Sequence, residues 1–374
     1  MVIQKVKVVH TCPIRKGGGR VLSVKTDKGE FLTPNRPVSS TEVNYKAAVG
    51  CDDPYDNQIL EFVGIFNEQY LMGLHTKNGP FGNRRRKIAR MARDYGDIDA
   101  MFHMQPQWGR RNLVYTEKDI KFLVELQYRA NLEFIRIPDK SPNSKPEDFE
   151  EVVLGYAGLV KDQFKLEPVP LLDLAMDPDT FRRKLSIIVR NKTDTFKMVA
   201  FQHRSFEQAP ANYGYIWDYR DEDIWFHLSG VNRLLPANHW TTAGLHYPQR
   251  FGIDTCARLT QQVPVIVPPK PLMKVKRFDS GTLGIIPLEE HSQRYGDNLA
   301  CKCPVCVGKT LPDYVDTYKL DHRGIENSGT LDKWNKVHEV FASTSEFDTG
   351  RDAIREDRLR EYFLTKDKYK GLKL

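Results

Sequence analysis

Glu133-Phe134-Ile135-Arg136-Ile137-Pro138-Asp139, running on through Lys140-Ser141-Pro142 to a helical pattern over Glu147–Gln163, is the stretch that decides the fold class. Its short apolar run predicts a strand over Glu133–Ile137, and Pro138 punctuates its end. The helix that follows is entered through Pro146, a residue that suits a first helical turn because its missing N–H would have no partner there. The alternation continues downstream. Phe196–Phe201, Ile224–Leu228 and Trp240–Leu245 read as strands, and Asp179–Val189 reads as a second helix entered through proline. Strand–helix alternation over this length predicts an α/β fold with a parallel sheet, open or closed into a barrel. Ahead of it lies a β-rich entry. Arg20–Lys25 alternates, Asp27-Lys28-Gly29 turns, and Phe31–Thr33 resumes before Pro34 and Pro37.

The chain has 374 residues, enough for one large domain with additions or two smaller ones. Hydrophobic residues make up 40% and mean hydropathy is -0.52, values of an ordinary water-soluble protein. No apolar run approaches the ~18 residues a membrane helix needs, and the start carries no signal-peptide core. The expected setting is the reducing cytoplasm, with no membrane partner. Net charge is +7, from 56 Lys and Arg against 49 Asp and Glu. The excess is concentrated in Arg84, Arg85, Arg86, Lys87, Arg90 and Arg93, with Arg110 and Arg111 following Trp108. On a helix Arg86, Arg90 and Arg93 share a face, which suits either phosphate tracking or plain solvation.

Near the other end, Cys301-Lys302-Cys303-Pro304-Val305-Cys306 packs three thiols into six residues. One turn can aim all three at a point, and an imidazole from His322 or His338 closes a tetrahedron around a soft divalent ion. With six cysteines in the whole chain, a disulfide framework is excluded in favour of one structural Zn2+. A site closed by three thiolates and an imidazole leaves no open position for substrate, so the chemistry lies elsewhere. Two aspartates are expected at strand ends, Asp139 after Ile135–Pro138 and Asp254 after Arg250–Ile253. Such carboxylates serve as nucleophile or acid/base, or grip a purine's N–H donors, unless they merely cap the next helix. Gln202 offers an amide suited to a base edge. Gly17-Gly18-Gly19 lacks the context of a phosphate cradle and reads as a loop.

These pieces resemble the tRNA-guanine transglycosylase superfamily over most of the chain. Gly19–Gly29 and Leu32-Thr33-Pro34 look like the opening strands. Ile137–Pro142 is similar to the segment with the base-recognising aspartate, and Val199-Ala200-Phe201-Gln202 to the strand whose glutamine contacts the purine. Leu228-Ser229-Gly230-Val231 is similar to the glycine strand lining that pocket, and Ala243–Pro248 with Gly252–Thr255 to the approach to the nucleophile. The cysteine cluster, His338 and Arg351–Leu359 resemble the zinc subdomain and closing helix.

The resemblance implies a (β/α)8 TIM-type barrel over 1–285 and a zinc subdomain over 286–374. It further implies Asp254 as nucleophile, Asp139, Gln202 and Gly230 as the base pocket, and Cys301, Cys303, Cys306 and His338 as zinc ligands. The arginine stripe would then hold nucleic acid by its phosphates, and a homodimer is the expected assembly. There are departures. The Asp-Ser-Gly-Gly-Phe-Gln signature is not recognisable, leaving Asp97 or Asp99 as substitutes. Asn232 and Arg233 stand where a glutamate is usual, and further RNA-binding domains are not expected. The implied activity is therefore exchange of guanine in DNA for a free 7-deazaguanine of the preQ0 type, through a covalent aspartyl-sugar intermediate. Action on tRNA, or a non-catalytic zinc-stapled nucleic-acid-binding barrel, are the alternatives.

Overall fold

The computed structural model describes residues 3–53, 55, 59–66, 78–94, 99–106, 114–204, 206, 208–231, 243–258, 270–299 and 301–369. Three antiparallel strands open the chain, β1 (Ile3–Thr11), β2 (Arg20–Thr26) and β3 (Glu30–Leu32). Strand and helix then alternate through β4 (Val38–Ser39), α1 (Ser40–Ala48), β5 (Ile59–Phe66), α2 (Asn78–Asp94), β6 (Asp99–Pro106) and α3 (Glu117–Arg129). The pattern continues through β7 (Phe134–Pro138), α4 (Pro146–Gly158), β8 (Glu167–Asp173), α5 (Pro178–Arg190), β9 (Met198–Gln202) and α6 (Pro210–Asp218). β10 (Trp225–Val231), a short α7 (Ala243–His246) and β11 (Thr255–Arg258) complete it. The last part holds the hairpin β12 (Lys276–Asp279) and β13 (Gly284–Pro287), then α8 (Leu288–Tyr295), α9 (Leu311–Tyr318), α10 (Ser328–Arg355) and α11 (Leu359–Leu364).

β4 to β11 lie in sequential order in one eight-stranded sheet, and each neighbouring pair is parallel. Asn35, just ahead of β4, also bridges in parallel to Thr255 of β11. There the Asn35 N–H donates to the Asp254 carbonyl at 2.9 Å and the Cys256 N–H donates to the Asn35 carbonyl at 3.3 Å.

The two-residue period of a strand divides the side chains between two faces. Phe201 of β9 turns outward onto Phe181 of α5, with ring centroids 5.9 Å apart. Arg136, His227 and Ser229 turn the other way, toward Glu61 of β5. The Arg136 guanidinium lies 2.7 Å from the Glu61 carboxylate, and the Ser229 hydroxyl donates to it at 2.8 Å. Toward the start of the strands this second face becomes aromatic. Trp225 meets Phe134 edge-on at 5.7 Å and Phe31 of β3 at 5.5 Å, so the entry strands pack against that end of the sheet. Complete burial of the indole contributes roughly 4–6 kcal/mol of transfer free energy.

Three expectations are corrected. Ala243–Leu245 belongs to helix α7 and not to a strand, while Trp240–Thr242 lie outside the described residues. A short apolar run is common to buried helices and strands, and periodicity cannot separate them. The C-terminal helix is two helices, because Asp357 takes a left-handed backbone (φ 55°) between α10 and α11. The boundary at residue 285 falls inside the β12–β13 hairpin, which pairs Phe278 with Ile285.

Candidate active site and metal centre

The cysteine cluster folds as a tight knuckle in which the N–H groups of Cys306 and Val307 both donate to the Cys303 carbonyl at 3.0 Å. The fourth member, His338, comes from the first half of α10, a helix begun by the Asn327 side chain accepting from the Gly329 N–H at 2.8 Å. His338 Nδ1 stands 3.3 Å from the sulfurs of Cys303 and Cys306 and 3.8 Å from that of Cys301. All four ligand atoms lie within 4.8 Å of one another. Nε2 of the same ring faces both the Phe278 carbonyl at 3.0 Å and Arg277 Nη2 at 3.1 Å, contacts that hold the ring with Nδ1 toward the sulfurs. Arg277 Nη2, 3.5 Å from the Cys306 sulfur, offsets the negative charge that three thiolates would bring. The donor set and its spacing fit a metal ion. His322 is exposed and takes no part in this group.

The ends of the strands carry the second cluster. Asp173 closes β8, Gln202 closes β9 directly opposite it, and Ser229 pairs with Gln202 from β10, with Gly230 next in line (φ 79°). Asp173 Oδ1 accepts from the Ala175 N–H at 2.8 Å, and Oδ2 accepts from Arg204 Nη2 at 2.9 Å. Burial raises the Asp173 carboxyl above its ordinary range, and Arg204 opposes the shift. Gln202 is 5% exposed, and its Oε1 is buried with no hydrogen-bond partner among the described residues. A buried acceptor left so costs about 1–3 kcal/mol, which a ligand donor would recover.

Asp173 escaped the sequence reading. Its signal is the run Val169-Pro170-Leu171-Leu172-Asp173, which ends in a carboxylate like the others, but Pro168 and Pro170 argue against a strand.

Asp139 follows β7 at the same end of the sheet, yet its carboxylate turns away toward α5. Lys184 Nζ reaches it at 2.5 Å and the half-buried Ser144 hydroxyl at 2.6 Å, with Lys184 and Asp139 themselves buried. The residue fastens the loop after β7 to the helix layer. Asp254 lies at the opposite end of the sheet, ahead of β11, and is fully buried. Arg20 grips it through Nε at 3.0 Å and Nη2 at 2.5 Å, the Phe226 N–H donates at 2.7 Å, and the Thr33 hydroxyl at 3.2 Å. Burial pushes its carboxyl up and Arg20 pulls it back. The expected position at a strand's C-terminal end is thus corrected, for both the place and the contacts are those of a structural ion pair.

The basic run does form a helix, α2, on which Arg86 and Arg90 are exposed and Arg85 is half-buried. The side chains of Arg84 and Arg93 lie outside the described residues, as do Asp97, Asn232, Arg233 and the side chain of Asp99. Asp99 opens β6 at the Asp254 end of the sheet. The three glycines form a left-handed loop. A Cβ on Gly18 would come within 2.4 Å of the Arg250 carbonyl, so close packing and not phosphate binding requires glycine there. Among the described residues no helix is long and apolar enough to cross a membrane.

No protein-family model matches the chain, and no curated protein matches it. Among solved structures it is similar to the tryptophan synthase complex of Pyrococcus furiosus, at 9% identity and a TM-score of 0.36 over 60% of this chain and 87% of that one. A pyruvate carboxylase from Rhizobium etli matches at 10% identity and TM-score 0.39, over 88% of this chain and 30% of that one. A muconate cycloisomerase from Azorhizobium caulinodans matches at 11% and 0.34, over 77% and 93%. Likeness this distant says nothing of activity.

Proposed function

We propose that the sheet closes into a (β/α)8-type barrel, stapled by Zn2+ at the cysteine–histidine centre, and that its C-terminal strand ends form a guanine-recognising site for base exchange in nucleic acid. The observation that carries the reading is the pairing of Asp173 with Gln202, two acceptors side by side, one of them buried with its oxygen unpartnered among the described residues. Guanine offers the complementary edge, with N1–H and the 2-amino group as adjacent donors. The Gly230 backbone borders the same place. The Asn35–Thr255 bridge supports closure, and in barrels of this kind active sites lie at the C-terminal strand ends.

In this reading Asp173 takes the base-recognising role that the resemblance gave to Asp139. Exchange breaks the bond between the anomeric carbon and the departing guanine and forms the same bond to the incoming 7-deazaguanine; the covalent route that the resemblance implies would need a carboxylate to hold the sugar between the two steps. Asp254 is sequestered by Arg20 and does not serve as that carboxylate in this arrangement. DNA is the favoured polymer, and the exposed arginines of α2 would hold its phosphates with a salt-dependent, sequence-independent affinity. The sequestration of Asp254 favours a second reading, a barrel that binds nucleic acid without exchanging bases.

Incubation with labelled guanine and either DNA or tRNA separates these. Base exchange predicts label in DNA. Label in tRNA alone transfers the activity to that polymer, and retention of both polymers without incorporation leaves the binding barrel.

A further inference from the structure

The guanidinium of Arg204 occupies the very carboxylate oxygen that a base would need. Arg204 Nη2 donates to Asp173 Oδ2 at 2.9 Å, and Nη1 lies 3.5 Å from the His203 carbonyl. The other oxygen, Oδ1, is held by the Ala175 N–H at 2.8 Å. Asp173 is thereby fixed in orientation from one side and capped from the other. The two partners differ in exposure. The Asp173 side chain is 15% exposed and that of Arg204 30% exposed, so the arginine can leave for solvent while the carboxylate stays. A guanidinium and the guanine edge bearing N1–H and the 2-amino group present the same pattern, adjacent N–H donors in one plane. What Asp173 accepts from one it can accept from the other.

We propose that Arg204 is a built-in placeholder for guanine, displaced by the incoming base and then free to take a phosphate of the bound strand. This deepens the base-exchange reading and rests on it. A released guanidinium is suited to phosphate through paired, charge-assisted hydrogen bonds. Base and strand then help each other. A strand that engages Arg204 uncovers Asp173 for the base, and a base on Asp173 delivers Arg204 to the strand. Linkage requires the two effects to be equal in size. Arg204 is a positioning residue here and touches no reacting atom.

The test is equilibrium dialysis of labelled guanine with the full chain, with and without a saturating single-stranded DNA oligonucleotide. Wild type is expected to bind guanine at least about fivefold more tightly when the oligonucleotide is present. In Arg204→Gln the guanine affinity without oligonucleotide rises to near that of the wild-type ternary complex, and the oligonucleotide no longer changes it. Arg204→Lys keeps the charge and part of the coupling. Asp173→Asn loses guanine binding with or without DNA. An Arg204→Gln protein that binds guanine as wild type does, with coupling intact, overturns the placeholder while the Asp173 result still supports the site. Absence of guanine binding in wild type overturns both.

Discussion

The two ends of the parallel sheet each present an aspartate, and the two could hardly be treated more differently. Asp254, at the end where the strands begin, is fully buried, and Arg20, Thr33 and the Phe226 N–H engage its carboxylate. Asp173, where the strands finish, keeps contact with solvent and pairs with Arg204, whose side chain is 30% exposed. At the first end the entry hairpin brings Phe31 onto Trp225 and Arg20 onto Asp254, sealing it with aromatic and ionic contacts. At the second, Gln202 is left with a buried oxygen unpartnered among the described residues. The starting end is closed by contacts within the chain, while the finishing end sets one buried unpartnered acceptor beside a carboxylate in contact with solvent.

The largest expected effect concerns the helix that runs between the two ends. α10 carries His338, and its neighbour Glu339 pairs with Arg258 at the finishing end of β11. Farther along the same helix, Phe347 stacks on His246 at 4.3 Å, near the starting end. Cys303→Ser, or a strong chelator, should remove the metal and unfold this region, because binding and local folding share one free energy of roughly 10 kcal/mol. Metal analysis should give about one zinc per chain in wild type and none in the variant, and loss of protection in hydrogen exchange should spread along α10. His322→Ala should retain the metal.

Next in size is Arg20→Met, which strands a buried carboxylate at the sealed end and should cost about 3–5 kcal/mol in urea unfolding. The same change at Arg182, in an exposed pair on α5, should cost under about 1 kcal/mol.

A third effect sits at the sealed end too. Glu167 opens β8, and burial raises its carboxyl to about 7, with Lys197 and Lys161 opposing the shift. A carboxyl whose folded pKa is raised favours folding while protonated. Its contribution is full below about pH 4.5 and is lost as pH rises through about 7. Glu167→Gln should therefore stabilise the protein at pH 8, by up to about 3 kcal/mol, and leave it nearly unchanged at pH 4. An unfolding free energy equal to wild type at both pH values would remove Glu167 as a buried acid.

The smallest effect is charge reversal at Arg85, Arg86 and Arg90, which should flatten the salt dependence of DNA binding and leave guanine binding alone.

Much of this was legible in the chain. The strands at β7, β9 and β10 and the helices α4 and α5 follow from apolar runs, proline entries and length. The metal cluster follows from spacing, with His338 chosen over His322 by resemblance. The error over Asp254 has a plain cause. Phe251 ends a helical turn, Gly252 takes a left-handed backbone (φ 75°), and the strand starts only at Thr255. A run of apolar residues ending in aspartate shows that a strand is near, but not which end of it the aspartate occupies. For Asp139 the end was right and the direction was wrong, since one step past the last strand residue turns the side chain to the outer face. That face belongs to Lys184, and no local pattern announces a lysine 45 residues away. Asp173 is masked by Pro168 and Pro170, which argue against a strand, although β8 pairs with β7 at both of them.

The most direct test of the contrast is guanine exchange per folded molecule in Asp173→Asn and Asp254→Asn, with folded protein measured by near-ultraviolet circular dichroism on the same samples. The account predicts that Asp173→Asn folds like wild type and loses exchange. It predicts that Asp254→Asn yields less folded protein, while each folded molecule exchanges guanine at close to the wild-type rate. An Asp254→Asn protein that is fully folded and inactive, beside an active Asp173→Asn, would contradict it and return the chemistry to the sealed end of the sheet.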